Sequence, residues 1–517
     1  MNIRNVYLFL IVVLSLGLFF EWSSEKKNLS IENHLLDAKS SVFDIGDGYV
    51  VVENEELYVV VEVQTGKIVE TRIKKHLVEN VDGSLGYRVF GKSNDSLFEY
   101  YFKSGFRVRD GDDYRVLAPL YEVVDMGPGF VELQDTSLGV SKKISFLEKS
   151  YEVSILDTII NQDKTQAFAA LYRTDGKALD LRRDALSGGM MNNSSYEGVA
   201  ISSAADPYST SRLRSIDKDI RDESRAGWVA FIQKYFFAAI IGSDEYIYSY
   251  FAAPKDESGL FKMGYFVENS SALSGELKHE HRLFVGPKIR KDLMDRADNL
   301  ELSIDMGWFW FLSQPMVWFM DVLNGYLNNW GLTIIVFTIL IKLLFWPVTA
   351  KSFRSMANLR KITPELNEIK ERYKDDRQKQ SQETMKLMKR HGANPLGGCL
   401  PMLIQMPFFI GFFFALREMV ELRHSELVIW SDLSSPDPYF IMPVLFGLLM
   451  ILTQRLNPQP AGMDTTQASV MKYMPVMFSV LFIFFPAALC LYTVVNTGVQ
   501  LIQQSYLYKQ QGALGSD

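Results

Sequence analysis

From Met306 to the C-terminus the chain is built of apolar blocks rich in Phe, Leu, Ile and Met, separated by short polar loops. A bilayer accepts such blocks only as segments whose backbone groups pair internally, so this half is expected to be an all-α transmembrane core. The half before it follows another rule. Between Trp22 and Asp305 the chain holds 35 Lys+Arg against 46 Asp+Glu and no long apolar run, which reads as a soluble, acidic domain. The mean hydropathy of zero over 517 residues is thus an average of two unlike regions.

Five spans are expected: Trp330–Val348, Cys399–Leu416, Phe440–Leu452, Met474–Phe485 and Ala487–Ile502. The third and fourth fall short of the roughly 20 apolar residues that cross a bilayer and have the length of buried or re-entrant helices. Pro486 splits the last pair into a hairpin. Ahead of them Trp308, Phe309, Trp310, Phe311, Trp318 and Phe319 crowd around Pro315 and Asp321, as in an amphipathic helix lying among the headgroups. The loop Thr349–Gly398 carries twelve Lys+Arg against six Asp+Glu, which makes it cytoplasmic by the positive-inside rule. At the N-terminus, Arg4 precedes the apolar run Val6–Phe20, and no small-x-small cleavage site follows. This reads as an uncleaved signal anchor. Both termini are then cytoplasmic and the acidic domain is exported across the membrane.

Within the acidic domain, Tyr49–Ile73 alternates, with turns at Asn54-Glu55-Glu56 and Gln64-Thr65-Gly66-Lys67. Similar runs at Leu117–Val124, Tyr151–Ile159, Phe231–Ile241, Tyr246–Ala252 and His279–Val285 have the spacing of an all-β sandwich. A helix is expected over Pro287–Leu302. The expected domains are residues 1–22, a signal-anchor helix; 23–305, the sandwich ending in a helix; 306–326, the interfacial helix; 327–348, the first core span; 349–398, a cytoplasmic helical hairpin; 399–508, the remaining spans; and 509–517, a cytoplasmic tail.

Polar side chains inside apolar spans carry the functional signal. Lys342 lies about two-thirds of the way along Trp330–Val348, where an ammonium costs about 2.5–3.5 kcal/mol. Thr338 is one turn before it; Tyr492, Asn496 and Gln500 follow at i, i+4, i+8 of the last span, and Gln405 lies within its own. Facing one another, these groups would line a wet, substrate-binding groove. Lys342 snorkelling to the headgroups and the amides acting as interhelical glue are the alternatives. The basic loop reads as two helices: Thr363-Pro364-Glu365 opens the first, Leu366, Ile369 and Tyr373 share a face, Asp375-Asp376 form the turn, Met385 and Met388 face back, and Gly392 closes the second. Its charge suits a ribosome or anionic lipid.

Several chemistries are excluded. The two cysteines, Cys399 and Cys490, lie in apolar blocks, so the exported domain has no disulfide framework. Gly86–Ser93 fits the phosphate-loop expression G-x-x-x-x-G-K-[ST], but strand-like text on both sides denies it the following helix it needs. His279 and His281 share a strand face without a third ligand in sight. No nucleophile–base pair stands out, so no enzyme, metal or cofactor is expected, and the net charge of −7 gives no footprint for nucleic acid.

The residues resemble a known family, the YidC membrane protein insertases of the Gram-negative type. The matching text includes Trp346-Pro347-Val348-Thr349, Tyr373-Lys374-Asp375-Asp376, Asn394-Pro395-Leu396-Gly397-Gly398-Cys399-Leu400-Pro401, Gln405-Met406-Pro407, Asp437-Pro438-Tyr439, Met474-Pro475 and Leu491-Tyr492; Leu283–Lys288 and Gly227-Trp228-Val229 look like the family's exported domain. The resemblance implies five core helices around a hydrophilic groove open to the cytoplasm and to lipid, and a periplasmic super-β-sandwich. It also implies nascent membrane proteins as clients, the ribosome and the Sec translocon (SecYEG and SecDF) as partners, and no nucleotide. The groove charge in the family is commonly Arg, and Lys342 stands at that position. Thr493 stands where the family often has a second aromatic residue, which removes a stacking role there. A transporter or channel, and an exported carbohydrate-binding protein or sugar-modifying enzyme on a membrane anchor, are the rival readings of the same residues.

Overall fold

A computed structural model describes residues 46–77, 84–92, 98–146, 149–160, 165–174, 198–268, 275–374, 376–391, 400–456 and 465–510. The expected signal anchor, Asp375, Gly392 and Cys399 lie outside these residues. The chain divides into two compact units, with the boundary after Asp305.

The first unit is a sandwich of two antiparallel sheets. Among the described residues the larger runs, in spatial order, Tyr49–Glu53, Leu57–Glu62, Lys67–Leu77, Gly86–Lys92, Glu99–Asp110, Thr165–Thr174, Leu260–Glu268, Ile247–Ala253 and Ile220–Arg225, with Asp113–Val116 beside Glu99–Asp110. The other runs Ser209–Ser211, Gly198–Ser202, Trp228–Ile232, Phe236–Ile241, Glu276–Pro287, Glu152–Ile160, Val140–Phe146, Phe130–Asp135 and Glu122–Gly127. Most of the predicted strands are present, and three expectations need correction. Phe231–Ile241 is two strands, because Gln233 N–H bonds the Phe236 carbonyl and turns the chain back on itself. Leu117–Val124 is not one strand: Leu117 N–H still bonds the Phe106 carbonyl of the larger sheet (2.9 Å), Pro119 has no N–H to give, and pairing in the other sheet begins at Glu122. The expected helix over Pro287–Leu302 shrinks to α1 (Arg290–Met294) and a 3-10 turn at Leu300–Ser303. The strand before it stays paired as far as Pro287, and Asn299 takes a left-handed φ of 63° that ends any continuous helix. Leu293 and Leu300 are thereby folded into a cluster with Trp228, Phe237 and Phe284, and the Trp228 indole N–H donates to the Asp298 carbonyl (3.1 Å).

The phosphate-loop text falls on Gly86–Lys92, a strand whose Arg88 is held by buried Glu70 (3.1 Å). It forms no anion cradle. His279 and His281 likewise take a structural place. Lys142, Asp157 and His281 of one sheet meet Ser104 and Tyr265 of the other, all deeply buried. Asp157 pairs with Lys142 (2.7 Å), accepts from Ser104 (2.6 Å) and lies 3.2 Å from His281 Nε2, whose Nδ1 is 3.0 Å from the Tyr265 hydroxyl. Burial opposes the charge on Asp157, but Lys142 and His281 hold its carboxyl well below the usual carboxylate range. Among the described residues no three ligating side chains gather for a metal.

His279 is 2 % exposed, finds no hydrogen-bond partner, and sits edge-on to Tyr246 and His281 at 4.8 and 4.7 Å. Burial and the neighbouring His281 lower its pKa from 6.5 to about 3. The unfolded chain therefore takes up a proton below about pH 6.5 that the folded chain refuses. Its contribution is complete above that pH and is lost as pH falls towards 3, by up to about 1.4 kcal/mol per unit. His279→Phe, which fills the same aromatic surroundings without burying unpaired nitrogens, should raise the sandwich unfolding midpoint by about 2–4 °C and flatten its decline between pH 6.5 and 4. Differential scanning fluorimetry of the detergent-solubilised chain across that range measures both.

The second unit is helical: α2 (Trp310–Leu327), α3 (Trp330–Leu344), α4 (Trp346–Lys361), α5 (Thr363–Arg372), α6 (Arg377–Arg390), α7 (Leu400–Glu418), α8 (Ile441–Leu456), α9 (Thr465–Phe482) and α10 (Ala487–Gln510). The ends differ from the expected spans in one important place. Trp330–Val348 is not continuous: α3 ends at Leu344, and the chain bends by 66° into α4. Pro347 explains the break, since its ring cannot continue α3 but is tolerated in the first turn of α4. Among the described residues no single helix is long and apolar enough to cross a bilayer alone; α3 and α4 meet that test only as a bent pair. Outward-facing Leu332, Ile339, Leu340, Leu343 and Leu344 on α3, and Trp310, Phe311, Trp318 and Tyr326 on α2, leave broad apolar faces to a non-aqueous solvent.

Candidate functional site

Three helices turn polar groups inward. On α3 the buried positions Gly331, Ile334, Thr338 and Lys342 line one face. Because the helix breaks at Phe345, Lys342 lies in its last turn rather than two-thirds along a longer span, and the carbonyl end of the helix favours its charge. Lys342 is 6 % exposed, so it does not reach out to water. Its Nζ donates to Gln405 Oε1 of α7 (3.2 Å) and Gln500 Oε1 of α10 (3.4 Å). Gln405 Nε2 in turn donates to Asn496 Oδ1 of α10. Among the described residues no carboxylate lies within ion-pair distance of Lys342, so one ammonium is held by amide dipoles alone.

Of the six groove candidates, Lys342, Gln405, Asn496 and Gln500 form this network, the Tyr492 side chain joins it at Gln405, and Thr338 stands apart. Thr338 is buried, and its hydroxyl donates to the Ile334 carbonyl of its own helix (2.6 Å). Tyr492 is also buried and lies against Phe412, with ring centroids 4.5 Å apart. Thr493 donates to the Cys490 carbonyl (2.8 Å) and has no stacking role. The sequence reading stopped too early on α10: Gln503 and Gln504 are buried at 2 % and 0 %. Gln504 continues the i+4 series of Asn496 and Gln500, a signal that was available.

At the start of α8, buried Asp437 accepts from Trp430 Nε1 (2.8 Å) and from the backbone N–H groups of Tyr439 (2.9 Å) and Met442 (2.7 Å). The same loop pairs with the start of α10, where Ala487 N–H donates to Ser435 (2.7 Å) and Ala488 N–H to Leu433 (2.9 Å). This end of the unit is tied shut by hydrogen bonds.

The basic hairpin is α5 and α6. Pro364 sits in the first turn of α5, but Thr363 is not the cap; Ile362 precedes the helix and makes no side-chain cap. Asp376 does cap α6, accepting from Lys379 N–H (3.0 Å). Ile362, Leu366 and Leu387 form the small core, flanked by Ile369 and Met388. Tyr373 stays outside it and Met385 is 63 % exposed, because Leu387 takes the inward place expected of Met385. Leu387→Ala should therefore cost about 2 kcal/mol of local stability and speed amide exchange across residues 363–390, while Met385→Ala changes it by less than about 0.5 kcal/mol. Hydrogen–deuterium exchange mass spectrometry of the two variants makes the comparison.

The fold defines a protein of two unlike parts, a large β-sandwich domain and a helical unit with exposed apolar faces and a buried lysine–amide network, the build of a membrane protein with an extramembrane domain. Two family models divide the chain: that of the YidC periplasmic domain matches residues 49–319, and that of the 60Kd inner membrane protein matches 322–513. The Membrane protein insertase YidC of Pseudomonas putida is 36% identical over 479 residues, covering 89% of this chain and 83% of its own. The protein of the same name from Pseudomonas syringae pv. tomato is 34% identical over 476 residues, covering 89% and 84%. The chain therefore belongs to the YidC membrane protein insertase family, whose place is the bacterial inner membrane with a domain in the periplasm. A crystal structure of an active YidC insertase with its first transmembrane domain resolved aligns at 20% identity and a TM-score of 0.41, over 92% of this chain and 96% of that one. The assignment rests on the sequence matches.

Proposed function

We propose that the chain inserts nascent membrane proteins into the inner membrane through the cleft around Lys342, without nucleotide. The observation that carries this reading is a buried ammonium with neutral partners only. An acidic N-tail or loop of a client exchanges with Gln405 and Gln500 at Lys342 Nζ, and its other polar groups bond to the freed amides and to Asn496. The client's apolar segment meanwhile moves along the lipid-facing sides of the helices, and hydrophobic transfer drives the step. The short helices thin the bilayer locally and shorten the polar segment's path. The ends of the chain and the α5–α6 hairpin lie in the cytoplasm, with domain limits as read from the sequence; the hairpin, basic and anchored by a three-residue core, receives the ribosome. Some clients arrive from the Sec translocon (SecYEG and SecDF). Catalysis in the enzymatic sense has no part in this scheme.

In a depletion strain, Lys342→Arg should keep most insertion of a client with an acidic N-tail, and Lys342→Ala should lower it by about tenfold, or ~1.4 kcal/mol. An alanine form fully active on every client would remove the charge from the mechanism. Photo-crosslinkers at Asn496 and Gln500 should capture a stalled nascent chain, whereas one at Thr338, which is spent on its own helix, should capture little. Adducts at Thr338 alone would place the path elsewhere. Solute flux in proteoliposomes without client insertion would favour a channel instead.

A further inference from the structure

The loop between α7 and α8 holds a feature that the cleft does not use. Leu427 and Trp430 exchange backbone hydrogen bonds (2.8 and 2.9 Å), closing a two-residue hairpin with Val428 and Ile429 at its tip. Val428 has a φ of 57°, a left-handed backbone that a β-branched residue rarely adopts, and it is 93 % exposed. Ile429 beside it is 47 % exposed. A turn of this kind ordinarily carries Gly or Asn, which would be unstrained and water-soluble. Here two large aliphatic side chains are held outward at a conformational cost.

The base of the hairpin is rigid. Leu427 fills the notch left by Gly331 at the start of α3, where an added Cβ would lie 2.8 Å from it. Asn329 Nδ2 donates to the Glu426 carbonyl (3.1 Å), and Trp430 is fixed to Asp437. The loop's charged residues Glu421, Arg423, Glu426, Asp432 and Asp437 lie outside the two-residue tip. Past Asp437 the exposed apolar surface continues through Tyr439, Phe440, Ile441, Val444, Leu445 and Leu448, the outward side of α8. The hairpin is tied to the start of α3, next to exposed Leu332, and so projects from the end of the helical unit that carries these apolar faces, at the end of α7 opposite the basic hairpin.

We propose that the Leu427–Trp430 hairpin is a lipid anchor whose Val428 and Ile429 side chains insert among the acyl chains of the outer leaflet. It rests on the reading that the α5–α6 hairpin is cytoplasmic. Tied to the starts of α3 and α8, it pins the closed end of the helical unit to the bilayer, so that opening is confined to the other end.

The test uses the full chain in vesicles of phosphatidylethanolamine and phosphatidylglycerol, with Cys399 and Cys490 replaced by Ser and Ala and a single NBD label at Val428→Cys, Ile429→Cys or Glu371→Cys. Glu371, exposed on α5, is the water reference. Labels at 428 and 429 should be blue-shifted, quenched by lipid carrying a shallow doxyl group, and at least fivefold less sensitive to iodide than the label at 371. Iodide quenching at 428 and 429 equal to that at 371 overturns the proposal. So does protection from both quenchers, which would mean that protein covers the tip. Labelling of the Glu371→Cys variant by a membrane-impermeant thiol reagent from the periplasmic face would instead overturn the reading of the α5–α6 hairpin as cytoplasmic, whatever the tip shows. The two labelled tip positions guard against one variant that fails to fold.

Discussion

A buried lysine with no counter-ion among the described residues organises the helical unit. Lys342 can remain charged among apolar helices only where dipoles replace its hydration, and Gln405 and Gln500 supply them from two other helices. That requirement fixes how α3, α7 and α10 are rotated about their axes. Once the Lys342 face of α3 points inward, Leu332, Ile339, Leu340, Leu343 and Leu344 must point outward, as they do. The break at Phe345 contributes as well, since it makes Lys342 a last-turn residue where the helix dipole favours a cation.

The two ends of this unit are built on different principles. One is closed by backbone and buried carboxylate hydrogen bonds: Ala487 to Ser435, Ala488 to Leu433, and Asp437 to three donors. Such bonds are directional, and breaking one leaves a buried polar group unpaired. At the other, α4 meets α10 through Ala350, Phe353 and Ala357 against Leu507 and Tyr508, an apolar contact that can slide. The α5–α6 hairpin is held by three buried residues. Stiffness therefore falls from the Asp437 end towards the hairpin end, the end from which the proposed entry of a polar segment to Lys342 costs least.

Much of this was legible in the sequence, and where it was not, the cause is identifiable. Alternation and turn residues located most strands, because a half-buried pleat demands them. They did not separate Trp228–Ile232 from Phe236–Ile241, two strands buried on both faces that show no alternation, although Gln233-Lys234 between them marks the turn. Hydropathy found α3 but ran through Phe345, since a window sums side chains and does not see that Pro347 stops one helix and starts another. Lys342, Gln405, Asn496 and Gln500 were legible because a polar side chain in an apolar span is costly wherever it points. The place of Thr338 is less legible, since a hydroxyl can satisfy itself on its own i−4 carbonyl, which spacing cannot reveal. Asp437 was visible only as part of a family motif, for its role depends on Trp430 and the start of α8 meeting in space.

Lys342 is not alone among buried lysines, and the contrast with Lys142 shows what it is suited to. Lys142 in the sandwich lies 2.7 Å from Asp157, which also accepts from Ser104 and faces His281. Its charge is cancelled on the spot, and removing either partner would strand the other in a dry interior. Such a pair fastens two sheets together and has nothing left to offer a guest. Lys342 has equal need of partners but takes neutral ones, so its solvation is met while its net charge is not. A carboxylate arriving beside it would gain a full Coulombic interaction and displace only dipoles. The two sites answer the same desolvation problem in opposite ways, one by neutralising a charge and the other by keeping it in reserve.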